Sequence, residues 1–245
     1  MKDKKIVITG GANGLGAAVA RKLCALGANI VIVDIDDVRG EKFASEIGAH
    51  FVLGNVADTQ GQYESHEAIV KRFGDDHIDV LINNAGIWFD RDHGESNPSN
   101  RQHLFDTNVL GVAGMTDCFL PAMRAKNSGL VLNIVSVAAL SAIDLEAIDW
   151  KIYAASKAAV ARYSDALREE LKNTKIKVTQ VFPGGFDSNI FETSGWAKNI
   201  AHNQDWMMRA DDVADCVMFA ITRPEDVFIS SIVVEKKDVN ETSPL

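Results

Sequence analysis

The chain alternates short, β-branched runs with longer stretches whose apolar residues recur at helical spacing, and this alternation restricts its fold more than any other feature. The runs are Lys5 to Ile8, Asn29 to Asp34, His50 to Leu53, Ile78 to Ile82, Gly129 to Val135, Lys175 to Phe182 and Val227 to Val234. Between them lie helical patterns at Ala17 to Leu26, Asp37 to Ile47, Gln62 to Phe73, Arg101 to Lys126, Ile152 to Leu171 and Val213 to Ile221. Asn29-Ile30-Val31-Ile32-Val33-Asp34 is apolar continuously and not alternately, the mark of a strand covered on both faces. Strands joined through helices require right-handed crossovers and a parallel sheet. The expectation is a doubly wound α/β fold: one seven-stranded parallel sheet with helices on both faces.

No repeat, low-complexity tract or Pro/Ser-rich linker interrupts the pattern, and the five prolines read as loop or helix-end residues. At about 150 residues per domain, 245 residues allow one unit or two, and residues 1–245 read as a single domain. Two connections are longer than usual, Ile87 to Asn100 and Gly184 to about Arg209. Both follow the carboxyl ends of strands, where ligands bind in such sheets.

Gly10, Gly14 and Gly16 form G-x-x-x-G-x-G between the first strand and its helix. Such a turn uses positive φ or a missing Cβ to let backbone approach a pyrophosphate at a helix N-terminus, the signature of a Rossmann dinucleotide site. Glycines alone also fit plain turn chemistry. Asp34 ends the second strand 24 positions after Gly10, close to the separation of about 20 residues at which an acid bonds the adenosine ribose hydroxyls. Its charge would repel a 2′-phosphate and Ile35-Asp36-Asp37 offers no cation, so NAD is favoured over NADP, with Arg39 the nearest counter-argument. A second reading makes Asp34 the N-cap of the following helix.

Tyr153 and Lys157 stand four apart on a helical pattern and share a face. A tyrosine of pKa near 10 must fall roughly three units, about 4 kcal/mol, to act as a base near pH 7, and an opposite charge at 4–6 Å supplies one to three. The spacing therefore predicts a tyrosine lowered by its lysine and by an oxidised nicotinamide. Taken alone, the same pair describes a solvated helix face.

These motifs together resemble the short-chain dehydrogenase/reductase family. Thr9-Gly10-Gly11-Ala12-Asn13-Gly14-Leu15-Gly16 matches its TGxxxGxG loop, Asn83-Asn84-Ala85-Gly86 its NNAG, Tyr153-Ala154-Ala155-Ser156-Lys157 its YxxxK, and Pro183-Gly184 its PG turn. The resemblance implies a catalytic set of Asn108, Ser136, Tyr153 and Lys157. Asn108 would hold a water through its backbone carbonyl, Ser136 would bond the substrate oxygen, and Tyr153 would exchange the proton. It implies a cofactor site built from Gly10, Asn13, Gly14, Leu15, Gly16, Asp34, Asn55, Val56, Asn84, Ala85, Gly86, Tyr153, Lys157, Pro183, Gly184, Phe186 and Ser188, the last beside the nicotinamide carboxamide. Read on their own residue types, Asn108 and Ser136 also fit satisfied core or cap roles. The implied reaction moves a hydride between NAD(H) and a secondary alcohol or its ketone.

The match loosens in three places. The Ser136 to Tyr153 connection, Val137 to Ile152, is longer than the family's usual and is expected to loop at the pocket mouth, carrying Asp144, Glu146, Asp149 and Trp150. Asn55 replaces the family's aspartate but keeps an acceptor for adenine. The end of the chain, Val233-Val234-Glu235-Lys236-Lys237, lacks the glycine pair common in tetrameric members, which leaves a homodimer or a homotetramer open. Trp88, Phe89, Phe186, Phe191, Trp196 and Trp206 lie where they could line a substrate pocket or pack a lid.

Composition excludes other classes. With 25 basic against 34 acidic residues, the chain offers no stripe for nucleic acid or anionic lipid. Cys24, Cys118 and Cys216 are far apart, so neither disulfides nor zinc is expected; the six histidines show no ligand spacing and read as surface or loop residues, and no metal is expected. No run reaches the 18 or so apolar residues of a membrane span, and a cytoplasmic setting fits. The remaining alternatives are a non-catalytic dinucleotide-binding sensor or interaction module of the same fold, which has no need of the tyrosine–lysine pair, and a nucleotide-sugar epimerase or dehydratase, for which the chain is short.

Overall fold

The computed structural model describes residues 1–88, 97–140, 151–188, 190 and 207–237. Its strands are β1 (Lys5–Thr9), β2 (Asn29–Asp34), β3 (His50–Leu53), β4 (Val80–Asn83), β5 (Gly129–Ile134), β6 (Ile176–Pro183) and β7 (Ser231–Val234). They form one parallel sheet in the order β3-β2-β1-β4-β5-β6-β7. The chain builds outward from β1 to β3, then crosses back to place β4 on the other side of β1. The strand order therefore reverses between β1 and β4, and a crevice opens there at the carboxyl ends. This is the doubly wound Rossmann sheet.

The helices are α1 (Gly14–Ala25), α2 (Asp37–Ile47), α3 (Thr59–Phe73), α4 (Pro98–Phe105), α5 (Gly111–Lys126), α6 (Lys151–Glu170) and α7 (Ala210–Ile221). Because side chains alternate along a strand, Ile6 and Ile8 enter a core with Leu23 of α1, Phe43 of α2 and Val217 of α7. Val7 points the other way and meets Ile69 of α3, Phe119 of α5 and Leu167 of α6. Each strand is thus apolar at consecutive positions because it feeds two cores. Full burial of each such side chain contributes about 1.5–3 kcal/mol.

Helix ends follow local chemistry. Asp36 caps α2 by accepting from the Arg39 N–H at 3.0 Å, Asp58 caps α3 by accepting from the Gly61 N–H at 3.0 Å, and Gly48 and Gly74 close them in the left-handed region. Asn97 accepts from the Ser99 N–H at 2.9 Å, with Pro98 in the first turn of α4.

Several boundaries differ from the sequence expectation. Helix α1 starts at Gly14, three residues early, because Asn13 caps it from inside the glycine turn. Strand β4 starts at Val80; at Asp79 before it the carboxylate accepts from the Lys5 N–H at 2.8 Å, while its backbone N–H donates to the Lys5 carbonyl at 2.8 Å. Strand β7 is confined to the last four residues of its expected span, and the segment before it is held through Thr179, whose hydroxyl donates to the Ile229 carbonyl at 2.7 Å. The long helix expected to 126 starts at Pro98 and contains a π-helical segment, Asp106–Leu110. Pro121 lies inside α5, not at an end, and is exposed there.

Leu81 sits at the centre of β4 with no solvent exposure. Leu81→Ala is expected to lower unfolding free energy by about 2–5 kcal/mol in urea denaturation; a loss below about 1 kcal/mol would mean that the second core is not packed as described.

Candidate active site

The glycine turn after β1 is shaped by close backbone approach. Gly10 and Gly14 have φ of 62° and 51°. A Cβ on Gly10 would lie 2.8 Å from the Ala85 Cα, and one on Gly16 would lie 2.4 Å from the Gly10 carbonyl oxygen. The turn is stitched to the residues after β4: the Asn84 amide donates to the carbonyls of Thr9 at 3.0 Å and Gly10 at 2.8 Å. The Thr9 hydroxyl accepts from the N–H groups of Asn84 and Ala85, both at 3.1 Å. Asp34 faces the same turn, its carboxylate accepting from the Ala12 N–H at 3.0 Å and the Asp36 N–H at 3.1 Å. The N-cap of α2 is Asp36, so the alternative role for Asp34 is not the one it has here.

A cavity of about 370 Å³ runs along the carboxyl ends of the strands. From β2 and β3 come Asp34, Asn55 and Val56; from the glycine turn and α1 come Gly10, Asn13 and Leu15. Asn84, Ala85 and Gly86 follow β4, Ser136 follows β5, and Pro183, Gly184, Phe186 and Ser188 belong to or follow β6. Tyr153 and Lys157 enter from α6. The cradle fits a dinucleotide: side-chain-free backbone at the glycine turn, a helix N-terminus beside it, and a carboxylate at the β2 end.

Tyr153 and Lys157 are both buried, which removes the reading of a solvated face. The Tyr153 hydroxyl is hydrogen-bonded to Ser136, yet burial dominates and pushes the phenol up to about 12. Burial also pulls the Lys157 ammonium down to about 8. Its Nζ donates to the Ile134 carbonyl at 3.1 Å and lies 5.8 Å from the centre of the phenol ring. The expected lowering of the tyrosine by its lysine is thus not met in this site: the neighbour that lowers it is Ser136, and desolvation outweighs that hydrogen bond. Ser136 serves two neighbours, since its Oγ also accepts from the Ala138 N–H at 3.1 Å.

Asn108 lies in the π-helical segment, fully buried and behind the cavity wall. Its side chain is engaged: Oδ1 accepts from the Ile87 N–H at 2.8 Å, and Nδ2 donates to the Ile87 carbonyl at 3.1 Å and the Ser156 hydroxyl at 3.3 Å. Ser156 in turn donates to the Tyr153 carbonyl at 2.7 Å. The expectation concerned only its backbone carbonyl; the amide, which combines donor and acceptor, ties two cavity walls together.

Of the other expected residues, Gly14 and Gly16 also stand off the cavity wall, Gly14 beneath the Ser188 backbone and Gly16 beneath Gly10. The Asn55 side-chain Oδ1 accepts from the Ala57 N–H at 3.0 Å, making a local turn. Sequence reasoning missed Thr107 and His103 in the wall; the helical spacing of four between them is the only signal that could have paired them. The histidines are also less superficial than expected, since His77 is buried and His66 packs edge-on against Phe119 with ring centres 4.9 Å apart. Trp88 takes the lining role and is buried. Phe89, Phe191, Trp196, Trp206 and residues 141–150 of the extended connection lie outside the described residues. Among the described residues no helix is long and apolar enough to cross a membrane.

Comparison with known proteins bears on this geometry. The sequence pattern of the short chain dehydrogenase family matches residues 4–198. An uncharacterised oxidoreductase of Staphylococcus epidermidis is 28% identical over 236 residues, covering 96% of this chain and 97% of the relative. An NADP-dependent 3-hydroxy acid dehydrogenase of Schizosaccharomyces pombe is 29% identical over 247 residues, covering 96% and 93%. A 3-ketoacyl-(acyl-carrier-protein) reductase of Brucella melitensis, solved with NADH, superposes with a TM-score of 0.81 at 26% identity, covering 96% and 97%.

Lys157 gives the site a pH signature. Its value in the folded chain, about 8, lies below the ordinary 10.5, so the unfolded chain holds more protons between those values and folding gains stability as pH rises through that window. Relative to Lys157→Met, the wild-type chain is expected to gain about 2–3 kcal/mol of stability between pH 8 and 10.5 in denaturant titrations at stepped pH. Parallel curves for the two proteins would contradict a buried Lys157 ammonium.

Proposed function

The chain belongs to the short-chain dehydrogenase family, and from that premise we propose that it moves a hydride between NAD(H) and a secondary alcohol or its ketone, with Tyr153 as general acid and base. As a member of that family it is an oxidoreductase that uses a nicotinamide dinucleotide and a small-molecule substrate. The observation that carries the finer reading is the buried Tyr153 hydroxyl bonded to Ser136 and standing one helical turn from Lys157, in the cavity that Asp34 and the glycine turn also line.

When bound, a nicotinamide dinucleotide supplies the hydride chemistry. Gly10, Asn13 and Leu15 would hold its pyrophosphate, Asp34 its adenosine ribose, Asn55 and Val56 its adenine, and Lys157 and Ser188 its nicotinamide half. In ketone reduction, Tyr153 donates its phenolic proton to the carbonyl oxygen while Ser136 hydrogen-bonds that oxygen. With the phenol pushed up to about 12, Tyr153 holds this proton at neutral pH. In alcohol oxidation the same oxygen atom must take the proton from the substrate hydroxyl, so the phenol must first ionise. Lys157 favours that ionisation by setting a positive charge beside the ring.

The preference for NAD rests on Asp34, whose carboxylate would meet a 2′-phosphate with like charge. Arg39 supports the competing preference for NADP, because it lines the same cavity. Its guanidinium is already paired with Asp36 at 3.3 Å, which reduces what it can offer a phosphate. The yeast relative is NADP-dependent by name and acts on 3-hydroxy acids, so both cofactors and such acids belong in the assay beside simple secondary alcohols.

Tyr153→Phe is expected to lower kcat/KM by at least about 100-fold with little change in NADH binding. Ketone reduction should hold steady between pH 6 and 9, where the phenol keeps its proton, while alcohol oxidation should rise with pH because it requires the ionised phenol. NADH should bind at least about tenfold, or 1.4 kcal/mol, more tightly than NADPH, and Asp34→Ser should narrow that gap. Turnover unchanged in Tyr153→Phe, or tighter binding of NADPH to the wild-type chain, would overturn the corresponding half of this reading.

A further inference from the structure

Trp88 follows Ile87 in the loop after β4 and is only 5% exposed, although it lines the cavity. Its ring centre lies 4.1 Å from that of Tyr153, the planes inclined at 44°. At that distance the two rings are in direct contact, tilted and not stacked. Leu104 of α4 and Ala138 complete the buried cluster around them.

The contact is framed from both sides by hydrogen bonds that do not involve the rings. Asn108 fixes the backbone N–H and carbonyl of Ile87, the residue before Trp88, at 2.8 and 3.1 Å. Through Ser156, the same amide reaches the backbone carbonyl of Tyr153 at 3.3 and 2.7 Å. One buried side chain thus sets the spacing of the two backbones from which the rings project. Tyrosine rotates about two side-chain torsions, and a ring packed against a fixed neighbour is restrained in the second. The Ser136 hydrogen bond restrains only the tip of the phenol; the indole restrains its plane.

We propose that Trp88 is a positioning residue for Tyr153: its indole holds the plane of the phenol and keeps water from that face of the ring, so that the hydroxyl meets Ser136 and the reacting oxygen. This rests on the acid–base role assigned to Tyr153. Among the described residues, Lys157 on the same helix lies 5.8 Å from the phenol ring, His103 of α4 lines the same cavity, and Ser136 after β5 is the hydrogen-bonding neighbour.

The test compares wild type with Trp88→Phe, which keeps an aromatic face, and Trp88→Leu, which removes it. Ionisation of Tyr153 is read without substrate as the 295 nm absorbance of each protein minus that of the same protein carrying Tyr153→Phe. The leucine variant should ionise at least half a pH unit lower than wild type, because water reaches the ring, and the phenylalanine variant should stay close to wild type. With NAD(H) and 2-butanol, 2-butanone or 3-hydroxybutyrate, the leucine variant should lose at least tenfold in kcat with KM within about twofold, and phenylalanine should restore most of it. A leucine variant that ionises as wild type does, or that keeps wild-type kcat, overturns the proposal. Trp88→Met, whose flexible chain refills the space, carries the same comparison should the leucine variant not fold. A wild-type chain that turns over none of these probes would count against the proposed reaction, whereas the absorbance titration would still decide the role of Trp88.

Discussion

The structure depends on the close approach of two backbones where the strand order reverses. Between β1 and β4 the chain leaves space for no side chain at Gly10, whose Cβ would strike Ala85. Asn84 and Thr9 then stitch the two loops together through four hydrogen bonds. That junction determines where the glycine turn points and where the β4 loop begins. It therefore sets the distance between the two halves of the cavity, one of which carries Asp34 and the other Tyr153. Bulk at Gly10 or Gly16 would separate them before it touched any ligand.

A second physical theme is burial that works against charge. Tyr153 and Lys157 sit where desolvation favours the neutral form of both, and the phenol responds by rising and the ammonium by falling. Such a pair rests with the phenol protonated, the state that the proposed ketone reduction requires. A positive charge brought beside the phenol has a large effect in so dry a place, because the local dielectric is low. The same dryness explains the attention the fold gives to hydrogen bonds around this pair: Asn108, Ser156 and the Ile134 carbonyl each engage a group that burial would otherwise leave unpaired.

The sheet and its helices were legible in the sequence because a strand feeding two cores is apolar without alternation, a local signal that survives any tertiary context. The glycine turn and the Tyr153–Lys157 pair were legible for the same reason, since their geometry is set by residues within a single turn. What was not legible depends on contacts across the chain. Trp88 meets Tyr153 from 65 positions away, and nothing near Trp88 announces it. The direction of the Tyr153 shift is set by burial, which no spacing rule contains. The π-helical segment at Asp106–Leu110 carries Asn108, which bonds Ile87 from 21 positions away, and its residues, Asp-Thr-Asn-Val-Leu, carry no pattern that distinguishes it. The role of Asp34 was ambiguous because an acid at a strand end can cap the next helix; Asp36 takes that role and leaves Asp34 turned to the glycine loop.

In the proposed function, one cavity joins the carboxylate that would bind adenosine to an acid–base tyrosine. A crystal structure of the chain with NAD+ tests it most directly. The account predicts the adenosine ribose hydroxyls on the Asp34 carboxylate, the pyrophosphate over the Gly10 to Gly16 turn, and the nicotinamide ring between Ser188 and the Tyr153–Lys157 pair. A dinucleotide bound in the opposite sense, or one that leaves Asp34 and Tyr153 both untouched, would contradict it.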